Sequence, residues 1–497
     1  MNHILKMLSV VLVLFAVTSV SISIEADDAA EKAPDGSIYV YETHGSAHPN
    51  YYCTIIDVMS ISDVLYLPTV LEGYDVRYIA EGALNGCDAS SIIVPAGVQG
   101  MFDDLSGCTK LKDIYFLGDR PATIIVPEGV TVHHLEDAEG WATGTIIEER
   151  ILNGIRYGLF PDGWMVLGGE ATDGAIVIDN AIDGIAVVSV GPYAFAGMMM
   201  YDGNVDRRTD IQSVSLPEGL TDVRERSFYY CDIQQINCPS TLKSIHDEAF
   251  RAAYSLNDPE FNEGLRFIGF ESFRDCHSIT SIHLPDTLKD AGEGCFKLCT
   301  ALKDATLGKG MLTVPPSMFF YDSELESVAI HEGAVNIGQQ AFYNCSSLTS
   351  IRIPGGMNEI LGDAFRGCIS LNVVDLNRVS KIGVSAFRDC ISLESITLPS
   401  TVKSLDPYCF ADCLSLRNLY SKGQCPEGDD TVFLNDTTTV HCDNGNERSW
   451  KDSTFGLAVV NDCGSDFNLL IIGLTITIIV AILIILFIRY RNHPRFS

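Results

Sequence analysis

The sequence predicts an α/β-type repeat solenoid, a stack of about 23-residue coils built from short strands and short helical turns. Three observations predict it: phenylalanine recurs at a near-constant interval, each phenylalanine has the same apolar neighbours, and the ends of the series differ from its interior. Successive phenylalanines stand 22 or 23 residues apart at Phe228, Phe250, Phe273, Phe296, Phe319, Phe342, Phe365, Phe387 and Phe410. Phe195 comes 33 residues earlier, one period plus a polar insertion around residues 201–210. The series therefore has about ten coils.

Each coil repeats one set of apolar positions. Around Phe342 these are Ile337, Ala341, Phe342, Cys345, Leu348, Ile351 and Ile353, followed by Pro354. The alternation at the end of the set predicts a short strand closed by proline. A second apolar pair before each Ala-Phe turn, such as Leu242 and Ile245, belongs to the same repeated set. Because one coil cannot bury its own apolar face and stacked coils can, the pattern has to run for many coils.

The stretch from Ile337 to Pro354, IGQQAFYNCSSLTSIRIP, resembles the BspA-type leucine-rich repeat. The resemblance covers most of the chain between its two apolar end segments. It implies a curved or rod-like solenoid that is displayed on a cell surface and binds host or neighbouring proteins without enzymatic activity. It implies no particular ligand, because members of the family bind different partners.

The residues before Phe195 form a shortened copy of the same plan. The two copies begin with the same spacing of Leu67, Gly73, Val76, Ile79 and Leu84 in one and Ile178, Gly184, Val187, Val190 and Phe195 in the other. They also end alike, with Trp141 matching Trp450. Since a solenoid end needs a cap over its last apolar face, we expect two capped modules. We name them the first module, residues 27–149, and the main array, residues 150–462, with a boundary near residues 145–153.

The two ends of the chain predict export and a membrane anchor. Residues 1–26 contain an apolar run followed by small residues, which is typical of a signal peptide; a second anchor is the alternative. Residues 469–488 are 20 uncharged residues, long enough to span a bilayer. Residues 463–488 are thus a juxtamembrane segment and transmembrane helix, and Arg489, Arg491 and Arg495 place the tail, residues 489–497, in the cytoplasm. We expect a single-pass type I protein with an extracellular ectodomain.

Charge and motifs exclude several classes of function. The chain has 65 acidic and 33 basic residues, a net charge of -32, which excludes binding to nucleic acid. It lacks a nucleophile elbow, a phosphate-binding loop, a zinc-protease motif and a dinucleotide fingerprint, so we expect no catalytic, cofactor or metal site and no enzyme. His246, Asp247 and Glu248 are interpreted as a solvated charged turn. His133 and His134 could hold a metal in principle, although neighbours in a strand point to opposite faces.

Nine cysteines follow the key Phe or Leu of a coil by three residues and form a ladder, Cys87, Cys108, Cys231, Cys276, Cys299, Cys345, Cys368, Cys390 and Cys413. We interpret them as small buried hydrophobes, and a metal-binding or redox series is the alternative. Ala253 and Asp322 replace the cysteine in two coils, which a set of ligands would hardly tolerate. In the end cap, Cys425 and Cys442 are candidates for a disulfide.

The binding surface is predicted from the strand residue that lies between two apolar positions and therefore points outward. It gives the ladder His283, Thr306, Ala329, Arg352, Asp375 and Thr397. Asn344 and Asn435 are candidate glycosylation sites in an exported chain. We interpret the protein as a cell-surface-anchored leucine-rich-repeat protein that binds an extracellular protein or glycan, in adhesion to host or neighbouring cells. A structural cell-envelope component is the alternative, and an enzyme in the first module is a third.

Overall fold

The computed structural model describes residues 28–44, 52–60, 62–103, 105–141, 144–199, 205–442, 445–453 and 455–461. The chain divides into two compact units, unit 1 over Met1–Leu348 and unit 2 over Thr349–Ser497. Within the described residues, no helix has both the length and the apolar character needed to cross a membrane. The expected signal peptide, residues 1–26, and the expected transmembrane helix, residues 469–488, lie outside the described residues.

Within its described residues, unit 1 begins with eleven strands, which belong to the first module. They are β1 (Asp28–Lys32), β2 (Ile38–His44), β3 (Tyr52–Met59), β4 (Val64–Tyr66), β5 (Val70–Leu71), β6 (Tyr74–Ile79), β7 (Ser91–Val94), β8 (Gly100–Met101), β9 (Asp113–Phe116), β10 (Thr131–His134) and β11 (Thr145–Ile146). The parallel strands β4, β7, β9, β10 and β11 form one sheet, and β3, β6 and β8 run parallel in the other. The two sheets form two faces of the stacked coils.

The described residues of unit 1 continue with nineteen strands of the main array. They are β12 (Glu149–Leu152), β13 (Ile155–Phe160), β14 (Gly163–Gly169), β15 (Ala175–Val177), β16 (Ala181–Ile182), β17 (Ile185–Val190), β18 (Met198–Met199), β19 (Val205–Asp206), β20 (Ser213–Ser215), β21 (Asp222–Val223), β22 (Gln235–Ile236), β23 (Ser244–Ile245), β24 (Phe267–Ile268), β25 (Ser281–His283), β26 (Asp290–Ala291), β27 (Asp304–Thr306), β28 (Thr313–Val314), β29 (Ser327–Ala329) and β30 (Asn336–Ile337). Strands β14, β17, β21, β23, β24 and β26 pair in parallel, and so do β25, β27 and β29.

The described residues of unit 2 contain nine strands and one short helix. They are β31 (Ser350–Arg352), β32 (Glu359–Ile360), β33 (Val373–Asp375), β34 (Lys381–Ile382), β35 (Ser395–Leu398), β36 (Ser404–Leu405), β37 (Asn418–Ser421), β38 (Thr439–Cys442), α1 (Glu447–Lys451) and β39 (Ala458–Asn461). Strands β35, β37, β38 and β39 form a parallel sheet at the end of the described chain. Near them Trp450 is buried and its Nε1 donates to Oγ of Ser421 over 3.1 Å.

The first module and the main array begin with the same backbone plan. Each starts with an antiparallel arrangement, β1 to β3 in one and β12 to β14 in the other, and then turns parallel at β6 or β17. Cys53 pairs with Val76 and Trp164 pairs with Val187, and the register shifts directly after both pairs. The first strands of the two modules therefore resemble each other even in the position of their register shifts.

The predicted helical turns are wrong: the turn around each phenylalanine is not helical, and α1 is the one α-helix within the described residues. From the Phe228 coil to the Phe410 coil, the residues two before and two after the phenylalanine both have positive φ, for example Glu248 (53°) and Ala252 (59°) around Phe250. Such backbone is unfavourable for residues other than glycine. It is stabilised here because the N–H groups of Glu248, Phe250 and Ala252 donate to carbonyl groups of the next coil at 2.8 Å.

The phenylalanine rings stack into a column that forms the centre of the core. In unit 1 the ring centroids from Phe195 to Phe342 follow one another at 5.1–6.5 Å, with planes within 21° of parallel. In unit 2 the column runs from Phe365 through Phe387 and Phe410 at 5.1–5.4 Å. Phe433 extends it at 5.6 Å, one coil beyond the ten that the sequence predicts. Offset stacking at these separations is a favoured aromatic geometry.

Candidate functional site

The residues predicted to contact a ligand lie in register on neighbouring parallel strands. In unit 1, His283 pairs with Thr306 and Thr306 pairs with Ala329. His283 and Ala329 are exposed and Thr306 is half-buried, whereas the inward neighbours Ile282 and Ala305 are buried. The core thus occupies the inward positions and leaves this ladder to solvent.

In unit 2 the ladder continues beyond Thr397, the last of the residues predicted from the sequence. Arg352 pairs with Asp375, and Nε of Arg352 lies 3.8 Å from Oδ2 of Asp375. Thr397 is in register with Tyr420, His441 and Val460 on the three strands that follow. The rings of Tyr420 and His441 are 4.9 Å apart. The outward position of these last residues could have been read from the apolar residues on either side of them, such as Leu419 and Val440.

The equivalent face of the first module is covered. There Ile93 pairs with Tyr115 and Tyr115 pairs with His133, and the Tyr115 and His133 rings stack at 4.3 Å. Phe160 of the main array lies over this face, with its ring 5.6 Å from that of Tyr115, and Ile93 is buried. The open part of the ladder is therefore in the main array.

The two histidines at the end of the first module have separate partners. Nε2 of His133 lies 2.8 Å from Oδ1 of Asp113, and Nδ1 of His134 lies 2.9 Å from the carbonyl oxygen of Leu135. Across the described ranges, no group of three or more His, Cys, Asp or Glu side chains has a geometry that could hold a metal ion.

Both glycosylation sequons lie in turns beside a phenylalanine of the column. Asn344 is half-buried, with a φ of 57°. Asn435 is exposed, with a φ of 68°, and its Nδ2 donates to Oδ1 of Asp412 over 2.7 Å. Glycosylation at both asparagines stays a prediction.

The disulfide between Cys425 and Cys442 stays a prediction. Sγ of Cys425 donates to the carbonyl oxygen of Pro426 over 3.6 Å, and Sγ of Cys442 lies 3.9 Å from the carbonyl oxygen of Val460.

The ladder cysteines are buried and make a repeated hydrogen bond. Each thiol donates to the carbonyl of the key residue in the coil before it, at 3.0–3.3 Å, for Cys108, Cys276, Cys299, Cys345, Cys390 and Cys413. Burial raises the pKa of the Cys276, Cys390 and Cys413 thiols well above their usual value, so they stay protonated. A protonated, buried thiol is a poor nucleophile and metal ligand.

The turn His246, Asp247 and Glu248 is buried, not solvated as the sequence suggests. The three residues are 8%, 3% and 0% exposed because the first module packs against them. Gly73 of the first module lies so close that a Cβ there would be 3.0 Å from the ring of Phe270 and 3.9 Å from Oε1 of Glu248. No local pattern predicts this contact, since the partners are about 170 residues apart in sequence.

We name this contact the seam. Its acidic groups are Glu31, Glu72, Asp75, Asp222, Glu225, Asp247 and Glu248, and its basic groups are Arg77, Arg224, Arg226, His246 and Arg251. Because the seam joins the first module to the main array, the predicted boundary near residues 145–153 falls within unit 1. The two modules as separate capped bodies stay a prediction.

Arg226 links the two modules at the seam. Its Nη1 donates to Oδ1 of Asp75 in the first module over 2.6 Å and lies 2.6 Å from the hydroxyl of Tyr193. Its Nε donates to Glu248, which also accepts from Arg251. Beside it, the guanidinium of Arg224 lies 3.6 Å from the centre of the Tyr66 ring in the first module, a cation–π contact.

His246 is an ion-pair partner at the seam rather than a catalytic base. Its Nε2 lies 3.2 Å from Oδ1 of Asp222, and its Nδ1 lies 3.2 Å from Oε1 of Glu225. Although burial opposes protonation, the charge of Glu225 and the hydrogen bonds to both carboxylates raise the pKa of His246 to about 9. Both ring nitrogens are therefore occupied and protonated at neutral pH, and neither can accept a proton from a substrate.

Comparison with known proteins agrees with this architecture. The family model described as "BspA type Leucine rich repeat region" matches in six copies, over residues 206–322 and 313–439. No curated protein matches the chain.

Several solved structures similar to this chain are leucine-rich-repeat proteins. One from Bacteroides ovatus is 24% identical, over 73% of this chain and 94% of that protein, with a TM-score of 0.37. One from T. pallidum is 24% identical, over 50% of this chain and 91% of that protein, with a TM-score of 0.32. A leucine rich cell surface protein from Faecalibacterium prausnitzii is 19% identical, over 82% of this chain and 97% of that protein, with a TM-score of 0.28.

The six family repeats cover the coils in which the phenylalanine column, the cysteine ladder and the outward strand positions are most regular. Residues 206–439 are therefore a BspA-type leucine-rich-repeat region.

Proposed function

We propose that the chain is a cell-surface protein that binds an extracellular protein or glycan through its main array, in adhesion to host or neighbouring cells. The observation that carries the proposal is the ladder His283, Thr306 and Ala329, whose side chains face solvent while the neighbouring strand positions fill the core. Parallel strands hold successive ladder positions about 4.8 Å apart, so the face is preformed. A preformed face loses little conformational entropy when a ligand binds.

The ladder offers different chemistry along its length. His283 and Thr306 can donate and accept hydrogen bonds, and Arg352 and Asp375 carry opposite charges. A surface of mixed polar residues on a rigid support suits the polar rim and water-mediated contacts of a protein or glycan partner. The match of residues 206–439 to the BspA-type leucine-rich repeat supports the same class of function.

Binding by cells tests the proposal. The full chain is displayed on a non-adherent host cell, and the saturable attachment of other cells to it is measured. The double variant His283→Ala, Thr306→Arg should lower attachment, whereas Leu312→Ala, an exposed residue outside the ladder (57% exposed), should not. Equal attachment by both variants would contradict the ladder as the ligand face. Self-association of the displaying cells, with no attachment of others, would favour the structural alternative.

The proposal includes anchoring by residues 469–488. The full chain and two truncations, lacking residues 469–497 or 489–497, are expressed in a secreting host. The longer deletion should release the protein into the medium, and the shorter one, which keeps the uncharged segment, should leave it on the cells. Cell association of the longer deletion would place the anchor elsewhere.

A further inference from the structure

Asp247 is the least satisfied acidic group of the seam. It is 3% exposed; its Oδ1 accepts a hydrogen bond from the backbone N–H of Phe270 over 2.8 Å. Within the described part of the chain its Oδ2 has no hydrogen-bond partner. A buried, ionised oxygen without a partner is costly, whereas a protonated carboxyl is tolerated.

The groups that face Asp247 come from four directions and are mostly acidic. Glu225 lies in the coil before it, His246 and Glu248 flank it, and Glu271 follows Phe270 in the next coil. From the first module come Glu31 on β1 and Glu72 beside it, joined by a hydrogen bond from the N–H of Glu72 to Oε2 of Glu31 over 3.0 Å.

The basic groups at the seam are already engaged with other partners. His246 holds Asp222 and Glu225, and Arg226 holds Asp75 and Glu248. Three basic groups remain. Arg77 lies near Asp75, and Arg224 lies over the ring of Tyr66. Arg251 contacts Glu248 and Glu271. The acidic groups outnumber the basic ones, so closing the seam requires that some carboxyl groups keep their protons.

We propose that the seam is a proton-controlled latch, which is closed when Asp247 carries a proton and loosens when Asp247 ionises beside Glu31 and Glu225. The latch would control how firmly the first module is held against the main array. It goes beyond ligand binding and does not depend on the proposed function.

The direction of the pH effect follows from proton linkage. Burial, with added repulsion from Glu225 and Glu248, raises the pKa of Asp247 to about 8, and burial and Asp247 also raise the pKa of Glu31. In an open seam the pKa of Asp247 would be about 4. Between these values the closed form holds a proton that the open form lacks, so the opening constant should rise up to about tenfold per pH unit and level off above pH 8.

The other seam groups limit this window in a predictable way. His246, with its pKa raised to about 9, also loses stabilising charge as the pH rises. Against the effect of burial, the hydrogen bond from His246 lowers the pKa of Asp222, and the charge of His246 lowers that of Glu225. These two carboxylates stabilise the seam above pH about 4 and cease to do so in stronger acid. The latch should therefore be tightest in mild acid.

Two backbone amides, those of Glu72 and Phe270, lie at the seam; each donates to a seam carboxyl group of its own module, and opening of the seam would expose both to water. Their hydrogen exchange is measured in the full chain at pH 5.5, 7.0 and 8.5, for wild type and Asp247→Asn. Comparing the two proteins at each pH cancels the intrinsic pH dependence of exchange. Asparagine keeps the acceptor for Phe270 and cannot ionise, so protection in wild type should fall relative to the variant by up to about tenfold per pH unit.

Two further variants keep the test decisive. Glu31→Gln removes one repelling charge from across the seam and should raise protection at pH 8.5, and it serves if Asp247→Asn does not fold. Asp290→Asn, an exposed carboxyl on the same sheet, should follow wild type at every pH. Equal pH dependence in wild type and Asp247→Asn, or no effect of Glu31→Gln at pH 8.5, would overturn the latch.

Discussion

Arg226 of the main array and Asp75 of the first module, 151 residues apart in sequence, are joined by a 2.6 Å hydrogen bond. The same guanidinium pairs with Glu248, which is fully buried. Arg226→Met should therefore lower the free energy of unfolding by about 2–4 kcal/mol, with Arg251 left as the remaining partner of Glu248. Arg352→Ala, which breaks an exposed pair, should cost less than about 1 kcal/mol. Urea denaturation measures both, and equal effects would contradict a structural role for Arg226.

The ring column and the cysteine ladder should differ strongly in their contribution to stability. Phe387 is buried between Phe365 and Phe410, so Phe387→Ala should cost about 3–5 kcal/mol. Cys390→Ala removes one sulfur and its 3.3 Å hydrogen bond to Phe365, and should cost on the order of 1 kcal/mol. Denaturant midpoints give the comparison. Loss of ligand binding in a folded Cys390→Ala protein would reopen a redox or metal role for the ladder.

The period, the column and the strands could be predicted because each depends on a pattern that repeats within one coil. Phe342 and Phe365 show it directly: the same apolar set surrounds both, and both are buried in the column. Phe433 stands 23 residues after Phe410 and its ring continues the stack, although Asp436 stands where the ladder has a cysteine. The register of His283 with Thr306 follows from the same spacing.

The turns and the seam could not be predicted, for two different physical reasons. Tyr230 and Glu248 have no intrinsic preference for positive φ, and they adopt it because the next coil accepts their N–H groups. That acceptor belongs to the stack and not to the local sequence. The burial of Asp247 depends on Glu31 and Gly73, which lie far away in the chain, so a charged turn gave no sign that it would be covered.

The repeated positive φ of the turns predicts a stabilising substitution. Leu298 has a φ of 62° and is half-buried two residues after Phe296, where Asn344 and Asn435 stand in other coils. Asparagine tolerates this backbone better than leucine, so Leu298→Asn should raise the free energy of unfolding by up to about 1 kcal/mol. The matched change Leu312→Asn, at an exposed residue without positive φ, should bring no such gain. A lower melting temperature for Leu298→Asn would show that its packing outweighs the strain.

Asp322 provides the clearest test of the ladder as a buried apolar column, because it is a carboxyl group in the place of a ladder cysteine. It is fully buried; its Oδ1 accepts from the N–H of Cys299 over 2.8 Å, and its Oδ2 has no hydrogen-bond partner within the described residues. Burial raises the pKa of Asp322 well above its usual value. Its contribution to stability is therefore full below pH about 4 and is lost as the pH rises through the raised pKa.

Restoring the ladder residue should remove this penalty. Asp322→Cys should be more stable than wild type at pH 7.5 by about 1–3 kcal/mol, because an unsatisfied polar group is replaced by a thiol that can donate to a carbonyl as Cys345 does. The gain should shrink toward pH 4, where wild type keeps its proton. Asp322→Asn, which stays polar but cannot ionise, should flatten the pH dependence without the full gain. Urea unfolding of the three proteins between pH 4 and 8 measures this, and a pH-independent difference between wild type and Asp322→Cys would show that Asp322 does not bind a proton on folding.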